Sequence, residues 1–152
     1  MTGVKEILEL IENVDPEDSD TLDEIDARVW CYLERVNFLR ITESLKHIEY
    51  KYRDSEKVWD CELKELYTRS RDALKRIRPR NVCVRIENVS FSHKVTVDEW
   101  ACYLVEYPVI GPDMEVHAYA QGMKTEDLAE LYAILMADPV RNKSVPRVSM
   151  VK

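Results

Sequence analysis

Glycine is scarce in this chain, with three among 152 residues. A phosphate-cradling loop needs clustered glycines so that the backbone can approach an anion closely, and no such loop is present. Long apolar runs are absent as well. None approaches the roughly 18–20 residues that cross a bilayer. The opening segment, Met1 to Leu10, mixes acidic and apolar residues, unlike a secretory leader. His47, His93 and His117 stand alone, and neither H-E-x-x-H nor G-x-S-x-G occurs. Cys31, Cys61, Cys83 and Cys102 are spaced 30, 22 and 19 apart, with no C-x-x-C pair. Zinc-ribbon and dithiol redox spacings are thus missing, and the cysteines read as small buried hydrophobes outside any disulfide. The expectation is a soluble, cytoplasmic protein with no metal, no cofactor and no enzymatic activity. A nucleophile–base pair could be built only from Cys102 and His117 on neighbouring strands, and nothing in the spacing favours it.

Hydrophobic residues make up 45% of the chain and charged residues 34%, which suits one folded domain with a real core. The net charge of −7 is unevenly placed. Residues 1–26 carry ten acids and one base, Lys5, a local balance of −9, so residues 27–152 sum to +2. A chain this acidic repels phosphate and is a poor non-specific DNA binder. From Lys64 to Arg85, however, eight Lys/Arg face two acids, Glu65 and Asp72. That segment is where an anionic partner is expected.

Periodicity predicts the elements. Val4, Ile7, Leu8, Ile11 and Val14 recur at helical spacing over 3–14, and Asp15-Pro16 ends that helix. Thr21, with Glu24 three residues on, forms a capping box for a second helix whose core face is Leu22, Ile25, Val29, Tyr32, Leu33 and Val36. Residues 37–46 are ambiguous and read as a loop with room for a short strand. Alternation over 47–63 gives a hairpin. Thr68 is expected to cap a basic helix over 68–78 that Pro79 closes. Strands follow at 82–87, 99–107 and 115–121, broken at Pro108 and Gly111-Pro112. Thr125 caps a last helix to about Ala137, with Asp127 in its first turn. The order predicts the α+β class, a three-layer α/β/α sandwich around a mainly antiparallel five-stranded sheet. Residues 1–138 read as a single domain, with 1–20 as an added acidic helix and 139–152 as a basic flexible or docking tail.

Three segments carry a resemblance: Leu22-Asp23-Glu24-Ile25-Asp26-Ala27-Arg28-Val29-Trp30-Cys31; Tyr67-Thr68-Arg69-Ser70-Arg71-Asp72-Ala73 with Pro79 after it; and the Ala/Leu-rich helix from Thr125 to Met136. In these the chain resembles small phage and prophage proteins with an ABA-sandwich domain. The resemblance implies a phage origin and the layered fold, and little about activity.

The site expected from the residues is an anion-binding surface. Arg69, Arg71 and Arg76, with Arg78 just beyond, offer planar forks suited to phosphate. Tyr67, Trp30, Trp59 and Trp100 offer a stacking face for a base, with Trp30 and Trp100 favoured as its aromatic walls. Thr68, Asp72, Asp26 and Arg28 are expected to support them. The function expected is capture of an anionic host component, such as a nucleotide immune signal, in an anti-defence role. The alternative is a protein-interaction module or inhibitor of a host protein, acting as a homo-oligomer without a small-molecule ligand.

Overall fold

The computed structural model describes residues 3–43, 45–80, 82–88, 100–106 and 116–137. The basic tail at 139–152, the breaks at Pro108 and Gly111-Pro112, and His93 lie outside the described residues. The elements are α1 (Val4–Asn13), α2 (Ser19–Glu34), β1 (Asn37–Ile41), β2 (His47–Lys51), β3 (Val58–Glu62), α3 (Arg71–Ile77), β4 (Val82–Asn88), β5 (Trp100–Glu106), β6 (Val116–Met123) and α4 (Glu126–Met136). The fold is α+β and, among the described residues, every strand pair is antiparallel. Among the described residues the strands do not form one sheet of five. They form two sheets of three, ordered β1-β2-β3 and β4-β5-β6. The extra strand is β1, in the stretch read as a loop with room for a short strand. It pairs with β2 from Asn37↔Lys51 to Ile41↔Ile48, with a shift at Leu39 that breaks its alternation. The chain divides into two compact units, Met1–Ser70 and Arg71–Lys152.

In the first unit, α1 turns buried Ile7 and Ile11 inward and packs on α2. Behind α2, Ala27, Cys31, Val36, Ile48 and Tyr50 form a buried cluster, with Trp30, Phe38, Ile41, Cys61 and Leu63 packed against it. Each fully buried aliphatic side chain here is worth about 1.5–3 kcal/mol of transfer free energy. The α2 cap differs from the expected Thr21–Glu24 box. Asp18 is the N-cap: its carboxylate accepts from the Thr21 N–H at 3.3 Å and from the Thr21 O–H at 2.6 Å. A carboxylate there also complements the helix dipole, which a hydroxyl does not. The helix ends at Arg35, φ 60°, whose N–H donates to the carbonyls of Cys31 and Tyr32. That left-handed position favours glycine. In this glycine-poor chain Arg35, Lys46 and Asp54 hold positive φ instead.

In the second unit α4 packs on the β4-β5-β6 sheet, burying Leu128, Leu131 and Leu135 together with Cys102, Leu104 and Ala120. Gly122, φ 72°, sits where the β5–β6 register shifts, so β6 passes the expected end at Gln121 and reaches Met123. Thr125 caps α4 as expected, accepting from the Leu128 N–H at 3.1 Å. Thr125→Ala is expected to cost about 1 kcal/mol, read as a lower midpoint in urea unfolding. An unchanged midpoint would mean that packing alone holds this helix start.

Candidate functional site: the basic segment and an aromatic surface

The first motif segment and residues 67–70 of the second meet within the first unit. Asp26, fully buried on α2, accepts from the Thr68 N–H at 2.8 Å, the Thr68 O–H at 3.1 Å and Arg69 Nη2 at 2.7 Å. Arg69 Nη2 also donates to Asp23 at 2.6 Å. Thr68 is therefore not the cap of α3, which begins at Arg71. Its hydroxyl is committed to a buried carboxylate 42 residues away, because an ionised group out of water needs several donors at once. Tyr67, proposed as a stacking wall, is buried.

Burial pushes the Asp26 carboxyl up, to about 6, against the lowering by Arg69 and Thr68. The folded chain thus holds this proton more tightly than the unfolded chain, whose Asp titrates near 3.8. The resulting stability is fully present below pH 4 and is lost as pH rises through 6, a change of about 3 kcal/mol. The stability of the wild type relative to Asp26→Asn should fall by about that amount between pH 3 and 7. A pH-independent difference would refute the burial account of Asp26.

In the second unit Arg71 Nη2 donates to Glu126 at 2.6 Å on the exposed surface, and Arg76 and Asp72 are exposed on α3. Arg78 turns inward. Its Nε and Nη2 donate at 2.6 and 2.9 Å to Glu130, a fully buried acid on α4. Trp100 is half-buried, opposite Asn88 and Met123 in the sheet. The structure therefore assigns Arg69 and Arg78 to internal carboxylates. Trp30, Tyr67 and Arg69 lie in the first unit, and Arg71, Arg76 and Trp100 in the second.

The surface that sequence reasoning did not assemble is aromatic: Trp30 and Trp59 were expected as stacking residues, but not their grouping with Tyr50 and Tyr52. Trp30 meets Tyr50 edge to face at 5.2 Å between ring centroids, Tyr50 meets Tyr52 at 5.8 Å, and Tyr52 meets Trp59 at 6.1 Å. The row begins in the core and runs out of it: Tyr50 is 8% exposed, Trp59 42% and Tyr52 50%. Lys57 Nζ lies 4.1 Å from the Trp59 ring centroid, a cation–π contact. Beside the row is a cleft of about 320 Å³ walled by Trp30, Ile48, Cys61 and Leu63, with Glu62, Lys64 and Glu65 at its lining. The signal in sequence was the pairing of Trp59 with Tyr50 across a hairpin, followed by a further Tyr at 52. Arg28 supports this unit rather than a ligand. It stacks over Phe38 at 4.7 Å and pairs with Glu24 at 3.3 Å and Glu6 at 3.6 Å.

Of the cysteines, all free, Cys31 and Cys102 are buried as expected, while Cys61 is half-buried and Cys83 exposed. Burial pushes the Cys31 and Cys102 thiols up to about 12, which keeps them protonated. The His117 side chain lies outside the described residues, so its pairing with Cys102 does too. Among the described residues, no three His, Cys, Asp or Glu side chains gather as a metal site, and no helix is long and apolar enough to cross a membrane. No family model, no curated protein and no solved structure matches this chain.

Proposed function

We propose that this protein is a non-catalytic binding module that captures a partner protein through the aromatic surface of its first unit. One observation carries the reading: Tyr52 and Trp59 stand half-exposed and edge to face at the end of a row rooted in the core. Tyr and Trp held rigidly in this way lose little freedom on binding, and such residues dominate interface energetics. The competing reading, capture of a nucleotide-type anion by Tyr67, Arg69, Arg71 and Arg76 with Trp30 and Trp100, has less support. Tyr67 is buried and Arg69 is held by two carboxylates. The homo-oligomer alternative, with the acidic residues 1–26 of one copy meeting the basic segment of another, has less support for the same reason, since Asp23 and Asp26 already take up Arg69 and Asp20 pairs with Lys46. The phage origin and layered α/β/α arrangement implied by the resemblance, and the cytoplasmic setting and anti-defence role expected from the residues, belong to this proposal as its background.

The test uses two baits side by side, the wild-type chain and Tyr52→Ser/Trp59→Ser, in a bacterial lysate. Both are expected to unfold at similar urea midpoints, because the two side chains are half outside the core. A protein retained by the wild type alone supports the reading. Identical retained sets would overturn it.

A further inference from the structure

The aromatic row ends on β3, and β3 is an edge strand. Among the described residues only β2 pairs with it, over five consecutive residues from Val58↔Lys51 to Glu62↔His47 and without a bulge. The Leu63 N–H donates to the Lys46 carbonyl at 3.1 Å. In an antiparallel ladder, opposed residues alternate between bonded and non-bonded pairs. That bond therefore sets the phase. Trp59 and Cys61 bond to β2, and the N–H and C=O groups of Val58, Asp60 and Glu62 point outward. All three of these residues are exposed. A regular, exposed edge of this kind is a template for a further strand.

The side chains say what that strand carries. One face of β3 presents Trp59 and Cys61, beside the 320 Å³ cleft walled by Trp30, Cys61 and Leu63. The other face presents Val58, Asp60 and Glu62. Asp60 already accepts a contact from His47 at 2.8 Å, yet its side chain is 61% exposed. Neighbouring charges on β2 are matched internally, Glu49 by Arg40 and Lys51 by Glu56. Lys57 lies over Trp59, and Lys64 is beyond the strand end at the cleft. A second copy fits this edge badly. Antiparallel self-pairing about a two-fold axis normal to the sheet opposes residues of equal parity. Registers centred along the strand then place Glu56 against Glu62, Asp60 against Asp60, Asp60 against Glu62, or Glu62 against Glu62. Like charges directly opposed are destabilising.

We infer that β3 accepts an extended segment of a partner protein as a fourth, antiparallel strand, and that this segment alternates basic with apolar residues. Its Lys or Arg side chains lie opposite Asp60 and Glu62. Its apolar side chains lie beside Trp59 and reach the Trp30–Leu63 cleft. The inference rests on the binding-module reading above and supplies its recognition chemistry.

The probe is the peptide acetyl-Lys-Val-Lys-Phe-Lys-Val-amide, titrated into the ¹⁵N-labelled full chain. Saturable shifts in the amides of 57–63 are expected. In this phase the lysine N–H groups face β3 and the apolar residues' N–H groups face away. Backbone N-methylation of the lysines is therefore expected to weaken binding about tenfold or more, and N-methylation of the valines and phenylalanine to leave it within about twofold. These arms need no change to the protein. Asp60→Lys/Glu62→Lys, on an exposed strand, should likewise weaken binding about tenfold. Equal weakening by both methylation patterns, or no saturable shift in 57–63, would overturn the inference. If that happens while Tyr52→Ser/Trp59→Ser still loses its protein from lysate, strand addition fails and the binding-module reading stands. If lysate capture ignores Tyr52 and Trp59 while the peptide still adds to β3, the reading of the aromatic surface fails instead.

Discussion

Arg78→Ala is expected to destabilise the second unit by about 3–5 kcal/mol. Glu130 is fully buried on α4, and Arg78 reaches it with two parallel N–H donors, the bidentate geometry that holds a carboxylate best. Without Arg78 the carboxylate is left in a low-dielectric site with the buried Cys102 thiol nearby, and Glu130 itself raises that thiol's pKa. A domain's whole stability is about 5–15 kcal/mol, so most of the margin would go. The pair itself is not worth that much. Its desolvation offsets most of its attraction, so Arg78→Leu combined with Glu130→Leu should recover nearly all the loss. Urea unfolding of the single and double variants separates the two contributions. A loss below about 1 kcal/mol for Arg78→Ala would mean that Glu130 finds water or another donor.

The second large effect is expected at Asp26. Asp26→Ala removes the acceptor for the Thr68 N–H and O–H, both in a buried turn, and leaves a small void in α2. Each orphaned buried donor costs about 1–3 kcal/mol, so the total should be about 3–5 kcal/mol. Arg69 is not the main term. It is one-third exposed and keeps Asp23 at 2.6 Å. The order of the variants is therefore informative: Asp26→Ala should be far worse than Arg69→Ala. If the two cost the same, the ion pair rather than the buried turn is what fastens residues 67–69 to α2.

These two sites also show where sequence reasoning stopped. The helices α1 and α4 and the β2–β3 hairpin were legible because their periods, about 3.6 and 2, are local properties of the chain. β1 was legible only as room for a short strand, because the shift at Leu39 interrupts its alternation. Thr68 and Thr21 had the right chemistry for caps, but partners elsewhere decided their roles. Asp26 claims Thr68 from 42 residues away, and Asp18 takes the cap in front of Thr21. Glu130 gave no local sign of burial, since its partner Arg78 is 52 residues distant. The run of arginines read as a surface for anions because composition shows charge and not its counter-charge. The structure supplies the counter-charges: Asp23 and Asp26 for Arg69, Glu126 for Arg71 and Glu130 for Arg78. The aromatic row, of which only Trp30 and Trp59 were expected as stacking residues, was not assembled for the converse reason. Tyr50, Tyr52 and Trp59 each fit an ordinary hairpin, and only their exposures distinguish a surface from a core.

Native mass spectrometry of the wild-type chain tests the central claim most directly, with the protein mixed in turn with a panel of linear and cyclic nucleotides and with a bacterial lysate. A protein-sized mass retained from the lysate, lost in Tyr52→Ser/Trp59→Ser, and no nucleotide retained, is the predicted result. A nucleotide-sized mass that persists in Tyr52→Ser/Trp59→Ser and disappears in Arg71→Glu/Arg76→Glu would contradict the account and return the function to the basic helix.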